Sequence, residues 1–357
     1  MKIAIYTLPF EKNYGGVLQA YALQEYLISE GHEVVILQRR RDSGLIKNIL
    51  KRIKWAFYKV CAKININRNN VFVKFENFKL KHLHQSRLMF SSQEIAKWCK
   101  DEGINVVVVG SDQVWRLNSA QDINDAFLAF VPVKVKRIAY AASFGVDYWE
   151  FSNEMTARIN ALIREFELIS VREQAGIDLC KKHLDINATL VLDPTLLAGR
   201  KLFQKIVDSE KKDLHAGVFC YFLDPNNKKR FLANSASKSL GCECFGNLTD
   251  LRKDSIEEWV SSFIRADFVI TDSFHGTCFA ILFEKQFIAL SNSSRGNARF
   301  QSLLKLVGLE NRFVSDNVDP KEMLNRMKLL IDYKTVNKKL SFERAKARGK
   351  LMEAILK

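Results

Sequence analysis

The chain has 357 residues, 47% hydrophobic and 11% aromatic, which excludes a disordered polymer and supplies apolar surface for two cores. Lysine and arginine outnumber aspartate and glutamate 55 to 40, and the net +15 favours partners such as anionic lipid, nucleic acid or phosphorylated small molecules. Seven cysteines (Cys61, Cys99, Cys180, Cys220, Cys242, Cys244, Cys278) are odd in number and never spaced CxxC. Neither a disulfide framework nor a zinc site is expected, and a reducing cytoplasm is.

The opening MKIAIYTLPFEKNYGG is interrupted by Pro9, Glu11 and Lys12, so it does not read as a signal peptide, and the sequence has no run of about eighteen apolar residues to span a bilayer. Lys2 to Leu8 predicts a buried strand, followed by a Gly15-Gly16 turn and an apolar-periodic helix carrying Leu18, Tyr21, Ala22, Tyr26 and Leu27. Gly31 stops that helix before a strand over Glu33 to Leu37. This βαβ opening predicts a parallel sheet.

Further strands are expected at Asn105 to Val109, Arg137 to Ala141, Leu168 to Val171 and Thr189 to Leu192, each ending in a polar or glycine cluster. Those clusters belong where a parallel sheet presents its binding edge. His82 and His84, like Cys242 and Cys244, share strand spacing and read as half-buried groups rather than metal ligands, so no metal site is assigned.

A charged stretch, Gln204 to Asp213, predicts the domain boundary. The pattern restarts with a strand over Ala216 to Leu223, helices Asn226 to Leu240 and Ser255 to Ala266, and strands at Cys242 to Phe245, Asp267 to Thr271 and Phe287 to Leu290. The expected fold class is α/β, with Rossmann-like domains over 1–205 and 214–320 built on parallel sheets. Helices over 321–357 carry a stripe of Met323, Met327, Leu330 and Ile331, and are expected to pack back on the first domain.

Four constellations carry candidate chemistry. Thr271-Asp272-Ser273-Phe274-His275-Gly276 joins a strand to a helix, where free N–H groups can receive an anion and a histidine is a candidate acid or base; a plain helix cap at Asp272 or Ser273 is the competing reading. Asn13, Gly15 and Gly16 follow the first strand but lack the GxGxxG and GxxxxGK[ST] patterns, giving no support to hydride transfer or ATP hydrolysis. Arg172 ends a strand and offers a permanently charged fork to a carboxylate or phosphate, unless it pairs with Glu173 or a neighbour. Arg295 and Arg299 sit in a polar loop, four residues apart, where a helix beginning near Gly296 would aim both at one anion.

Residues 44–68 contain seven lysines and arginines and no acid, interleaved with Leu45, Ile46, Ile49, Leu50, Ile53, Trp55, Phe57 and Tyr58. That pattern fits a helix lying on the inner surface of an anionic membrane, with a basic solvated helix docked on the protein's own core as the competing reading, and no nucleic-acid reader motif accompanies it.

Taken together, NYGGVLQAYAL, VVVGSDQVW, AASFG, SVREQAG, VLDPTLL and TDSFHGTCFAI, in this order and spacing, resemble the polysaccharide pyruvyl transferase family from about residue 1 to Arg312. The resemblance implies two domains arranged as in GT-B glycosyltransferases, phosphoenolpyruvate as donor with no cofactor, and a sugar diol as acceptor. The product would be a pyruvate ketal on a cell-envelope, exopolysaccharide or capsular glycan. Arg172 and His275 match positions that members use to hold phosphoenolpyruvate, and Asp272 matches the acid before the histidine. Some members have Arg-Leu-His where this chain has Ser273-Phe274-His275, so one cation is absent, and Arg295 or Arg299 is the candidate replacement.

On this reading His275 is the general acid or base, with Asp112 or Asp272 as its orienting or accepting partner. Ser273, Gly276 and the arginines complete the donor site, and Asn13, Gly15, Gly16, Asp112 and Gln113 hold the acceptor. A basic amphipathic insert suits an acceptor carried on a polyprenyl diphosphate, and a cytoplasmic protein at the membrane face. The alternatives are a GT-B-like nucleotide-sugar glycosyltransferase and a non-catalytic glycan-binding relative.

Overall fold

A computed structural model of the chain describes residues 1–10, 12–64, 66, 69–207, 217–248 and 253–357. The expectations for Arg68, for Ala216 as a strand start and for most of the Gln204 to Asp213 stretch lie outside the described residues. The chain divides into two compact units, Met1–Ala198 with Glu343–Lys357, and Gly199–Phe342.

The first unit is built on seven strands, β1 (Lys2–Tyr6), β2 (Glu33–Arg39), β3 (Gln85–Met89), β4 (Val106–Gly110), β5 (Lys136–Ala142), β6 (Phe166–Val171) and β7 (Thr189–Leu190). They are all parallel in the order β3-β2-β1-β4-β5-β6-β7. The chain therefore reverses direction across the sheet between β1 and β4, and the crevice at the carboxyl ends of those two strands is where such sheets take ligands. The Val-Val-Val-Val run of β4 is buried throughout because helices cover both faces of a parallel sheet. Trp115, fully buried, stacks on Phe127 with ring centroids 5.0 Å apart.

The second unit holds β8 (Val218–Tyr221), β9 (Cys244–Asn247), β10 (Phe268–Thr271), β11 (Gln286–Leu290) and β12 (Phe313–Val314), parallel in the order β12-β11-β10-β8-β9. Its switch point lies between β8 and β10. Trp259 packs edge-on against Phe263 and Phe279 at 4.6 and 4.9 Å in its core.

Several expectations are corrected. Gly15 and Gly16 do not form a turn: Asn13 caps a helix that begins at Tyr14, and both glycines lie in its first turn. His82 ends the helix Val71–His82 while His84 precedes β3, so they share no strand; His82 instead packs on the Tyr21 and Phe78 rings, and burial lowers its pKa to about 4. Cys242 precedes β9 rather than sharing it with Cys244. The strand Gln85–Met89 carries no clean alternation that would have disclosed it. Among the described residues no cluster of metal-ligating side chains occurs, and no helix is long and apolar enough to cross a membrane.

The C-terminal stripe is interrupted. One helix ends at Met327 and another starts at Tyr333, its first turn bonded to the Asp332 carboxylate through the Lys334 N–H at 3.0 Å and the Thr335 hydroxyl at 2.6 Å. Met323 is fully buried in the second core, whereas Leu330, in the connection, is 83% exposed. Met323→Ala is therefore expected to cost about 2–4 kcal/mol and Leu330→Ala less than about 0.5 kcal/mol, read from the shift in urea midpoint of the second unit.

Candidate active site

At the first unit's switch point, the loop after β1 meets the loop after β4. Asn13 accepts a hydrogen bond from the Gly16 N–H at 3.0 Å, and its amide donates to Asp112 Oδ2 at 3.3 Å. A methyl group on Gly16 would come within 2.8 Å of Asn13 Nδ2 and 3.4 Å of Asp112 Oδ2, so glycine is what lets these side chains meet over the helix start. Ser111 and Asp112 have φ of 26° and 63°, a left-handed excursion that L residues adopt at a cost of about 1–3 kcal/mol. It turns the Asp112 carboxylate back toward Asn13, with the Gln113 N–H donating to Oδ1 at 2.9 Å. Gln113 is half-buried and accepts from Arg116 at 2.9 Å.

Arg172, at the end of β6, lies in the interior of this edge and is 3% exposed. Its Nη1 donates to Asp193 at 2.7 Å and to Ser111 at 3.2 Å, and its Nη2 to Asp112 at 3.2 Å. Burial works against the charge, but the carboxylates of Asp193, Asp112 and Glu173 outweigh it and raise the guanidinium pKa. Glu173 caps the other side of the loop by accepting from the Phe144 N–H at 2.9 Å. Ser111 and Asp193 thus belong to the edge that holds Asp112; the Asp193-Pro194 cluster after β7 was the sequence signal for it, but a strand-end cluster does not say which cation it faces.

The second edge is organised by Asp272, 1% exposed at the end of β10. It accepts from the Leu223 N–H at 2.5 Å, the Asp224 N–H at 3.3 Å, Lys229 Nζ at 2.6 Å and Asn292 Nδ2 at 3.1 Å. One carboxylate therefore ties the ends of β8, β10 and β11 together. Ser273 is the helix cap, its hydroxyl accepting from the Gly276 N–H at 3.2 Å. A side chain on Gly276 would run into Thr271 Oγ1, whose hydroxyl donates to Tyr221 O at 2.6 Å. The 7% exposed His275 lies in the first turn of this nine-residue helix (Phe274–Leu282), its ring 5.4 Å from that of Phe274.

Arg295 does not sit in a helix with Arg299, because the helix starts only at Ala298. Arg295 grips Asp224 through Nε at 2.6 Å and Nη2 at 2.8 Å, and this bond draws the Asp224 pKa down to about 2. The pairing is present above the ordinary carboxylate pKa and is lost as pH falls through about 2. Arg299 donates to the Arg295 carbonyl at 2.7 Å and lies 5.5 Å over the Phe274 ring. Asp224 and Lys229 had no sequence signal as members of this edge, while Asn292 belongs to the polar loop singled out for Arg295 and Arg299 but was given no role of its own.

The two edges thus bring together the sequence-read Asn13, Gly16, Asp112, Gln113 and Arg172 in one unit, and Asp272, Ser273, His275, Gly276, Arg295 and Arg299 in the other. Chemically, the second edge presents a histidine, a helix start and arginine side chains, suited to a small anion that must exchange a proton.

Replacing Asp272 with Ala should leave Lys229 buried without its carboxylate and lower the second unit's stability by about 3–5 kcal/mol. Lys229→Met added to Asp272→Ala should recover part of that loss in a double-mutant cycle of thermal unfolding.

Among solved structures, the chain is similar to UDP-N-acetylglucosamine 2-epimerase from Rickettsia bellii (10% identity, 99% of this chain and 97% of that one, TM-score 0.53). It is similar also to UDP-GlcNAc 2-epimerase from Methanocaldococcus jannaschii (12%, 93% and 93%, 0.51) and to Arabidopsis thaliana UGT89C1 complexed with quercetin (10%, 99% and 98%, 0.52). At these identities the likeness shows the fold alone, an α/β protein with two parallel sheets of the kind found in GT-B glycosyltransferases and UDP-GlcNAc 2-epimerases. No curated protein matches the sequence. Residues 13–294, which span both sheet edges, match the polysaccharide pyruvyl transferase family, and the chain belongs to that family.

Proposed function

We propose that this protein transfers the pyruvyl group of phosphoenolpyruvate to two hydroxyls of a glycan sugar, forming a cyclic ketal in the assembly of an envelope or capsular polysaccharide. The family match over residues 13–294 is the observation that carries this reading. The geometry supports it at the second edge, where His275 and the Ser273-capped helix start occur with Arg295 and Arg299 in the same unit.

In the proposed reaction a proton is delivered to the methylene carbon of phosphoenolpyruvate while one sugar hydroxyl adds to the neighbouring carbon. The second hydroxyl then forms its bond to that carbon as the carbon–oxygen bond to phosphate breaks. Of the two hydroxyl protons, one balances the new methyl group and the other leaves with inorganic phosphate. His275 is assigned the proton transfer. Arg299 and Arg295 are assigned to the donor's charge, Arg295 by exchanging its bond to the part-exposed Asp224 for one to the donor, with Ser273 and Gly276 fixing the helix N–H groups.

Asn13, Asp112 and Gln113 are assigned to the acceptor. Arg172 is assigned to holding Asp112 in place, because its donors are already directed to Asp112, Ser111 and Asp193. The exposed basic helix Leu45–Lys63 is assigned to the membrane face, which would present a lipid-linked acceptor.

The fold likeness to nucleotide-sugar enzymes favours one competing reading, a glycosyltransferase. Incubation with labelled phosphoenolpyruvate or labelled nucleotide sugar and a mixture of glycan acceptors separates the two: label is expected to pass from phosphoenolpyruvate with release of phosphate, and transfer from the nucleotide sugar alone would overturn the proposal. His275→Ala should lower turnover on the order of 10²–10⁴-fold. Unchanged turnover in that variant would remove His275 from the chemistry.

A further inference from the structure

The helix Leu45–Lys63 has two unlike sides. Ile46, Ile49, Ile53, Phe57 and Val60 recur at spacings of three and four and are all exposed, with Ile46 at 75%. The opposite side, Lys51, Lys54, Trp55 and Tyr58, lines a cavity of about 480 Å³ within the first unit. Cys61 and Ala62 dock the helix on Val73 of the neighbouring Val71–His82 helix, so the cavity lies between two anchored helices and the strand ends behind them.

The remaining walls come from Phe10 and Lys12 after β1, Arg40 after β2, Leu88 of β3, and Phe72, Phe75, Glu76 and Lys79 of the second helix. Five cationic side chains thus surround the space. Among the described lining residues the one carboxylate, Glu76, is already bonded to Lys79, and both are buried. The ammonium groups of Lys12 and Lys54 lie 4.5 and 5.9 Å from the Phe72 ring centroid, which places charge and aromatic surface side by side.

A volume of this size holds a small-molecule headgroup. Cationic walls favour an anionic group, and the aromatic walls (Trp55, Tyr58, Phe72, Phe75) favour an apolar continuation, while the exposed apolar side of the same helix faces away from the cavity. A free phosphate compound would use only the first property. We infer that this cavity binds the phosphate headgroup of an anionic membrane lipid while the exposed Ile46–Val60 face enters the bilayer surface.

The inference rests on the membrane-facing part of the proposed function and is independent of the transfer chemistry. Charge complementarity selects the occupant: the helix carries no acidic residue, so an anionic surface meets attraction along its whole length.

The test is co-sedimentation of the full chain with vesicles of phosphatidylcholine, with and without phosphatidylglycerol. Binding is expected only to the anionic vesicles. Lys12→Ala with Lys54→Ala, both exposed and so tolerated by the fold, should weaken it on the order of tenfold, since each lysine at such a surface contributes about 1 kcal/mol. Lys181→Ala with Lys182→Ala, on the Gln174–Leu184 helix near the far edge of the sheet, removes equal charge and should change binding by less than about twofold. Ile49→Ser with Ile53→Ser should weaken binding as well.

If the Lys12/Lys54 variant sediments like the wild type, or the Lys181/Lys182 variant loses as much, the cavity is overturned while the membrane contact stands. If serine at 49 and 53 changes nothing and soluble glycerol phosphate displaces the protein from vesicles, the cavity takes a soluble phosphate and the lipid assignment is overturned. Absence of sedimentation with either vesicle overturns both the cavity and the membrane reading.

Discussion

Arg172 and Lys229 are cations removed from water, each at the carboxyl edge of a parallel sheet, and neither position is tolerable unless the fold delivers a carboxylate to it. Asp193 and Asp112 meet Arg172, and Asp272 meets Lys229. Desolvating an ion costs several kcal/mol, and only close geometry with further hydrogen bonds offsets it. The strand ends are therefore fixed relative to one another more tightly than backbone pairing alone would fix them, because the charges reach across β4, β6 and the segment after β7 in one unit and across β8, β10 and β11 in the other.

That constraint explains why polar side chains can stand at these edges in defined positions. Asp112 is held from behind by Arg172 while Asn13 approaches from the front, and Gly16 removes the one methyl that would part them. Asp272 is bonded by four donors, which makes it the anchor of its edge. The left-handed backbone at Ser111 and Asp112 is the kind of local cost a fold sustains when surrounding contacts over-determine it.

The helix Leu45–Lys63 follows a different logic. It is docked at one end, where Cys61 and Ala62 pack on Val73, and its apolar face is left exposed, a cost without a partner. In the proposed reading a bilayer surface would relieve that cost on one side, while the cavity on the other side is lined by cationic side chains.

The composition and periodicity of the sequence settled the α/β class, the parallel character of both sheets and most strand positions, since runs such as Val106–Val109 are apolar without alternation and each is followed by a polar cluster. Six motifs in register settled the family, and the acid-free stretch after Gly44 settled the amphipathic helix. Periodicity could not see where the C-terminal stripe breaks, because Met327 and Leu330 have the same spacing whether or not the helix continues; the Asp332 cap decides it. Nor could it tell that Arg172 pairs with Asp193 or that Asp272 receives Lys229 and Asn292, because a buried charge chooses its partner by distance in space, and those partners are separated by 21, 43 and 20 residues along the chain. Only the tertiary structure brings them together, since strand order, not sequence order, determines which loops share an edge.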